Sequence, residues 1–121
     1  MEVKYFNKSK LLLIKITEEI DECKVKELRR KLDYEIERFC PKRVVFDFDR
    51  VTFMDSAGIG MVIGRYKEIS MLGGTLELAN MSETVKKIFQ MSGVLRIIPE
   101  INLNTILENM PNKEGAKLWV I

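Results

Sequence analysis

The sequence predicts a single α/β domain, with a mixed sheet of four to five strands and about four helices packed on it. Three observations carry that prediction. Val44-Val45-Phe46 is a β-branched and aromatic run of the kind that parallel sheets bury on both faces. After a short connector, Ile59, Val62, Ile63, Tyr66 and Ile69 recur at helical spacing. Along the whole chain, strand-like and helix-like segments follow one another in the order β-β-α-β-α-β-α-β-α, which requires crossover connections and a sheet faced by helices.

Residues 2–7 and 10–16 read as two strands, joined as a hairpin through Asn7-Lys8-Ser9. In residues 21–40 the apolar positions Val25, Leu28, Leu32, Ile36 and Phe39 predict the first helix, with Asp21 as its candidate N-cap and Pro41 discouraging continuation. The buried strand around Val45 follows, and Phe53 and Met54 are expected to bring the chain back to the core. Asp55 and Ser56 are both preferred N-cap residues, so the second helix opens at or beside Ser56 and ends at Gly73-Gly74. Gly60 and Gly64 share one face of it and read as a close-packing surface. Thr75-Leu76-Glu77-Leu78-Ala79 is a further strand. Ser82 caps a third helix carrying Val85, Ile88 and Phe89, with Gly93 beyond its end. Residues 95–98 read as a short edge strand and residues 102–110 as a last helix. The domain is expected to span residues 1–110, leaving 111–121 as a C-terminal tail. Within that tail Leu118-Trp119-Val120-Ile121 is too apolar to stay in water, which predicts docking on a groove or sheet edge of this chain or of a second copy.

Composition excludes several function classes. A chain of 121 residues with 46% hydrophobic and 31% charged residues can bury a core without metals or disulfides, and no apolar run approaches bilayer length, so no membrane partner is expected. The N-terminus enters a strand pattern with no signal-peptide architecture, which predicts a cytoplasmic protein. Cys23 and Cys40 sit at opposite ends of the first helix, roughly 25 Å apart at 1.5 Å per residue, and so read as reduced thiols. The net charge of +2 does not describe a nucleic-acid binder. The one basic cluster, Lys24, Lys26, Arg29, Arg30 and Lys31, is interrupted by Glu27 and followed by Asp33, Glu35 and Glu37, and reads as a solvated helix face. Histidine is absent, which removes a serine–histidine–aspartate triad, and two distant cysteines cannot build a structural zinc site. The glycines around Gly58-Ile59-Gly60 fail the dinucleotide fingerprint at Ile63 and fail the Walker pattern as well. No cofactor is expected.

Ser56 has a specific physical character. The first turn of a helix carries unpaired backbone N–H groups and the positive end of the macrodipole, so a phosphate would be accommodated there. Ala57 and Gly58 are nearly bare, leaving the hydroxyl clear for another protein's active site. The plain alternative is that Ser56 is an N-cap and nothing more.

Phe53-Met54-Asp55-Ser56-Ala57-Gly58-Ile59-Gly60, with Gly64-Arg65-Tyr66-Lys67, Gly73-Gly74, Val85-Lys86-Lys87-Ile88-Phe89 and Met91-Ser92-Gly93, resembles the signature of anti-sigma factor antagonists of the STAS-domain family, sporulation (SpoIIAA) type. The likeness covers about residues 1–108. It implies a STAS-like fold and a non-enzymatic switch in transcription regulation during sporulation. The unphosphorylated form binds an anti-sigma factor with serine-kinase activity and frees the sigma factor. Phosphorylation on Ser56 ends that binding, and a phosphoserine phosphatase restores it. By the same resemblance Asp21, Met54, Asp55, Ala57, Gly58 and Ile59 serve partner binding or kinase recognition. The chain departs from its relatives in two places. Ala57 stands where many have a second serine, and Thr17-Glu18-Glu19-Ile20-Asp21 lacks their turn glycine.

One enzymatic alternative is visible. Val44-Val45-Phe46-Asp47-Phe48-Asp49-Arg50-Val51 resembles the first motif of haloacid-dehalogenase-type phosphatases, which would make the protein a small magnesium-dependent phosphatase with Asp47 as nucleophile and Asp49 as general acid. Such chemistry needs further carboxylates and a lysine, for which the chain leaves little room.

Overall fold

The computed structural model describes residues 1–110 and the backbone of residues 116–120. Strand β1 (Glu2–Phe6) turns through residues 7–10 into β2 (Leu11–Lys15), its antiparallel partner. From β2 the chain passes through α1 (Val25–Phe39) to β3 (Arg43–Asp47), through α2 (Ser56–Met71) to β4 (Thr75–Ala79), and through α3 (Glu83–Ser92) to β5 (Glu100–Ile101), so that β2 to β5 run parallel. A short α4 (Leu103–Glu108) follows. With β6 (Ala116–Val120) the sheet has six strands where four to five were expected, in the order β5-β4-β3-β2-β1-β6.

The register explains the apolar runs. Leu12, Val44 and Leu76 stand abreast, as do Ile14, Phe46 and Leu78, and both rows belong to the core shared with α1, α2 and α3. The alternate row of Leu11, Leu13, Val45 and Ala79 packs with Leu103 of α4 on the other face. The central strands are thus covered on both sides, as parallel strands require. Phe46, Phe48 and Phe89 are fully buried, each contributing roughly 1.5–3 kcal/mol. Phe48 meets Phe89 edge to face at 5.5 Å between centroids.

Several sequence expectations are corrected. α1 begins at Val25 rather than Asp21, because residues 21–24 form a separate turn in which the Asp21 carboxylate accepts from the Lys24 N–H at 2.9 Å. Asp21 therefore organises the approach to α1 without capping it. The strand placed at 95–98 is instead a 3₁₀ turn, Val94–Arg96, entered through Gly93 at φ +80°, and the edge strand is Glu100–Ile101. Gly60 and Gly64 have no neighbour within 4 Å of where a Cβ would stand, so they are not close-packing positions. A close approach to backbone falls instead at Gly74, where a Cβ would lie 2.9 Å from the Pro41 carbonyl oxygen. Ser82 caps α3 as expected, accepting from the Val85 N–H at 3.2 Å.

Within the tail, β6 pairs antiparallel with β1 and sets Trp119 opposite Val3. The sheet edge of this chain thus receives the segment. Residues 111–115 and 121 lie outside the described residues.

Candidate functional site

Two loops at the carboxyl ends of β2 and β3 build the site, and main-chain bonds fasten them together. The Ile20 N–H donates to the Phe53 carbonyl at 3.2 Å, and the Asp55 N–H donates to the Ile20 carbonyl at 3.0 Å, an isolated parallel bridge between Ile20 and Met54. The Thr52 hydroxyl donates to the Glu19 carboxylate at 2.7 Å. Asp55 completes the connection with both oxygens: Oδ1 accepts from the Ala57 N–H at 2.9 Å and Oδ2 from the Glu22 N–H at 3.2 Å.

Asp55 is therefore the N-cap of α2, and Ser56 is the first residue inside the helix. Of the two capping candidates, the aspartate has taken the role. The Ser56 side chain is exposed, and its hydroxyl makes no hydrogen bond to the described residues. It is left as an exposed hydroxyl on the first turn of α2.

The neighbours divide between support and surface. Met54 is 1% exposed and lies beneath the turn, so it does not face a partner as the resemblance implied. A Cβ at Gly58 would sit 2.4 Å from the Met54 Cγ and 3.0 Å from the Ile20 Cγ2, so only glycine lets α2 start this close to the bridge. Ala57, Ile59, Asp55 and Asp21 are half-buried around Ser56. Phe53 does not return to the core; it is 52% exposed, three residues from Ser56. Sequence reasoning missed it because the run Val51-Thr52-Phe53-Met54 carries no period that distinguishes the inward side chain from the outward one.

Farther along the two helices, Arg65 of α2 is buried against α1, with its Nε 2.8 Å from Asp33 Oδ1 and 3.8 Å from Glu68 Oε2. One guanidinium serves two carboxylates there. Burial, then a hydrogen bond with Asp33 and the charges of Asp33 and Glu37, push the Glu68 carboxyl up to about 7 despite Arg65.

The two aspartates of the phosphatase alternative are held differently. Asp47 is 3% exposed, and its Oδ1 accepts from the Asp49 N–H at 2.9 Å and from the Asn80 Nδ2 at 3.0 Å, which ties the ends of β3 and β4 together. Asp49 is exposed in the following turn. Among the described residues no group of three acidic, cysteine or histidine side chains converges as metal ligands.

An exposed serine hydroxyl thus stands at the start of α2, on a surface made by two loops bound to each other. The chain belongs to the STAS domain family, whose model matches residues 4–108. It is 31% identical over 102 residues to the anti-sigma F factor antagonist of Paenibacillus polymyxa, covering 81% of this chain and 87% of that one. Its fold matches the anti-sigma factor antagonist SpoIIAA in its unphosphorylated form, with a TM-score of 0.70 and 29% identity over 86% of this chain and 93% of the other. The phosphorylated form of the Bacillus cell fate determinant SpoIIAA matches with a TM-score of 0.62, also at 29% identity, covering 83% and 90%. Among the described residues no helix is long and apolar enough to cross a membrane.

Proposed function

We propose that this protein is an anti-sigma factor antagonist switched by phosphorylation of Ser56. Unphosphorylated, it binds an anti-sigma factor that is also a serine kinase and so releases a sigma factor; phosphorylated, it lets go until a phosphoserine phosphatase resets it. The observation that carries this reading is the exposed Ser56 hydroxyl, relieved of capping by Asp55. Likeness to antagonists solved in unphosphorylated and phosphorylated forms supports it. Phosphorylation would add about −1.5 to −2 charges beside the Asp55 carboxylate. The Asp55 carboxylate repels that charge and so favours its facing outward, into the partner's footprint. Ala57, Ile59 and Phe53 would supply the apolar part of that footprint and Asp21 its acidic edge, while Met54 and Gly58 hold the turn in place. The switch acts in the cytoplasm, in the control of sporulation transcription, and residues 1–110 carry it.

The test is incubation with the cognate anti-sigma kinase and ATP, followed by mass spectrometry and calorimetry. Phosphate is expected on Ser56 alone. Ser56→Ala should bind like the unmodified protein and Ser56→Asp more weakly, since a single carboxylate only partly imitates a phosphate. Equal affinity of the unmodified and phosphorylated forms would end the proposal.

A further inference from the structure

The basic cluster on α1 looks self-neutralised in the sequence, and the structure removes most of that neutralisation. Asp33 turns inward to Arg65 at 2.8 Å. Glu35 is fully buried on the core side of the helix, 3.7 Å from Arg38. Glu27 is engaged with Lys31, which also reaches Glu18. What remains outside is Lys24, Lys26, Arg29 and Arg30, all exposed and with no described carboxylate within ion-pairing distance, together with Glu37, exposed seven residues past Arg30. Lys26, Arg29 and Arg30 stand at i, i+3 and i+4 and so share a face.

This face is continuous with the serine. α1 and α2 follow parallel strands and run side by side, and the Asp33–Arg65 pair marks where they are level. Asp33 is nine residues past Lys24, and Arg65 is nine past Ser56, so Lys24 lies level with Ser56. Arg30 is six residues further on, about 9 Å at helical rise. A standard protein interface covers ~800 Å² on each partner, a disc of radius ~16 Å. A partner with such a footprint centred on Ser56 therefore reaches toward this face. Four cations pressed against an apolar or basic surface would lose hydration without return.

We infer that Lys24, Lys26, Arg29 and Arg30 form a docking face for an acidic surface of the protein that engages Ser56. The inference rests on the function proposed above and specifies the chemistry of its partner. Contacts of this kind sit at an interface rim, where they set association rate and salt dependence more than the final grip.

The test compares two double reversals of equal charge in the full chain. Lys26→Glu/Arg30→Glu alters the face, and Lys8→Glu/Lys42→Glu alters the opposite end of the sheet. Each is titrated against the cognate anti-sigma factor at low and high salt, with melting curves to confirm folding. The face reversal should weaken binding about fivefold or more at ~50 mM salt and less than twofold at ~500 mM, with association slowed and the control unchanged. An equal loss in both reversals means that only net charge matters, and overturns the inference. Full affinity in the face reversal overturns it too, and if that variant alone loses retention on phosphatidylglycerol vesicles or duplex DNA, the face serves a membrane or a nucleic acid instead. Failure of the wild-type protein to bind the anti-sigma factor at either salt refutes the proposed function itself. Wild-type binding with an unaffected face reversal refutes only the docking face.

Discussion

Exchanges at Asp55 and Ser56 separate the two roles that the sequence left undivided. Asp55→Ala removes the α2 cap, at about 1 kcal/mol, and the bond to the Glu22 N–H, at about another 1 kcal/mol. A chain of this size unfolds with an entropy near 0.25 kcal/mol/K, so ~2 kcal/mol corresponds to a fall of ~8 °C in Tm. Asp55→Asn keeps a capping oxygen for Ala57, but its amide nitrogen cannot accept from Glu22, so about half the fall, ~4 °C, is expected. Ser56→Ala removes no described hydrogen bond and places the best helix former inside the first turn, so Tm should hold or rise by ~2 °C. Thermal unfolding followed by circular dichroism measures all three. If Ser56→Ala falls as far as Asp55→Ala, the hydroxyl rather than the carboxylate caps α2, and Ser56 is not free for modification.

Three further outcomes are expected. Gly58→Ala should cost about 1–3 kcal/mol in denaturant unfolding, since its methyl would enter the Met54 side chain, whereas Gly60→Ala, in open space, should stabilise by up to ~1 kcal/mol. Glu68 holds a proton in the folded state that the unfolded chain releases, so its contribution is full below pH 4.5 and is lost as pH rises through about 7; Glu68→Gln should flatten the stability profile across that window in urea titrations at stepped pH. Truncation after Met110 removes β6 and opens the outer edge of β1, so either a lower Tm or self-association in sedimentation is expected, and a monomer of unchanged Tm would refute the role given to the tail.

The parts of the fold that could be read from the sequence are those in which local chemistry and tertiary demand agree. The Val44-Val45-Phe46 strand, the helix carrying Ile59 to Ile69, and the Ser82 and Gly93 ends of α3 are such places. Where several residues satisfy the same local rule, contacts distant in sequence decide. Asp55 and Ser56 are equally good caps for α2 on paper; the Ile20–Met54 bridge brings the Glu22 N–H to Asp55 and so selects it. Phe53 and Met54 are equally apolar, and the pleat of that bridge sends one in and one out. The charges of Asp33 and Glu35 read as solvent-facing in an alternating run, yet the helix turns the first toward Arg65 and the second into the core.

The bridge between Ile20 and Met54 also bears on how such switches diverge. It fixes where residues 19–22 lie relative to Ser56 through main-chain atoms, and these are present whatever side chains the loop carries. Under the proposed function, copies of this domain in one cell could then change the loop's side chains to meet different kinases while keeping the serine turn intact. Insulation between parallel circuits would then require only a few substitutions in one short loop, with no redesign of the helix that carries Ser56.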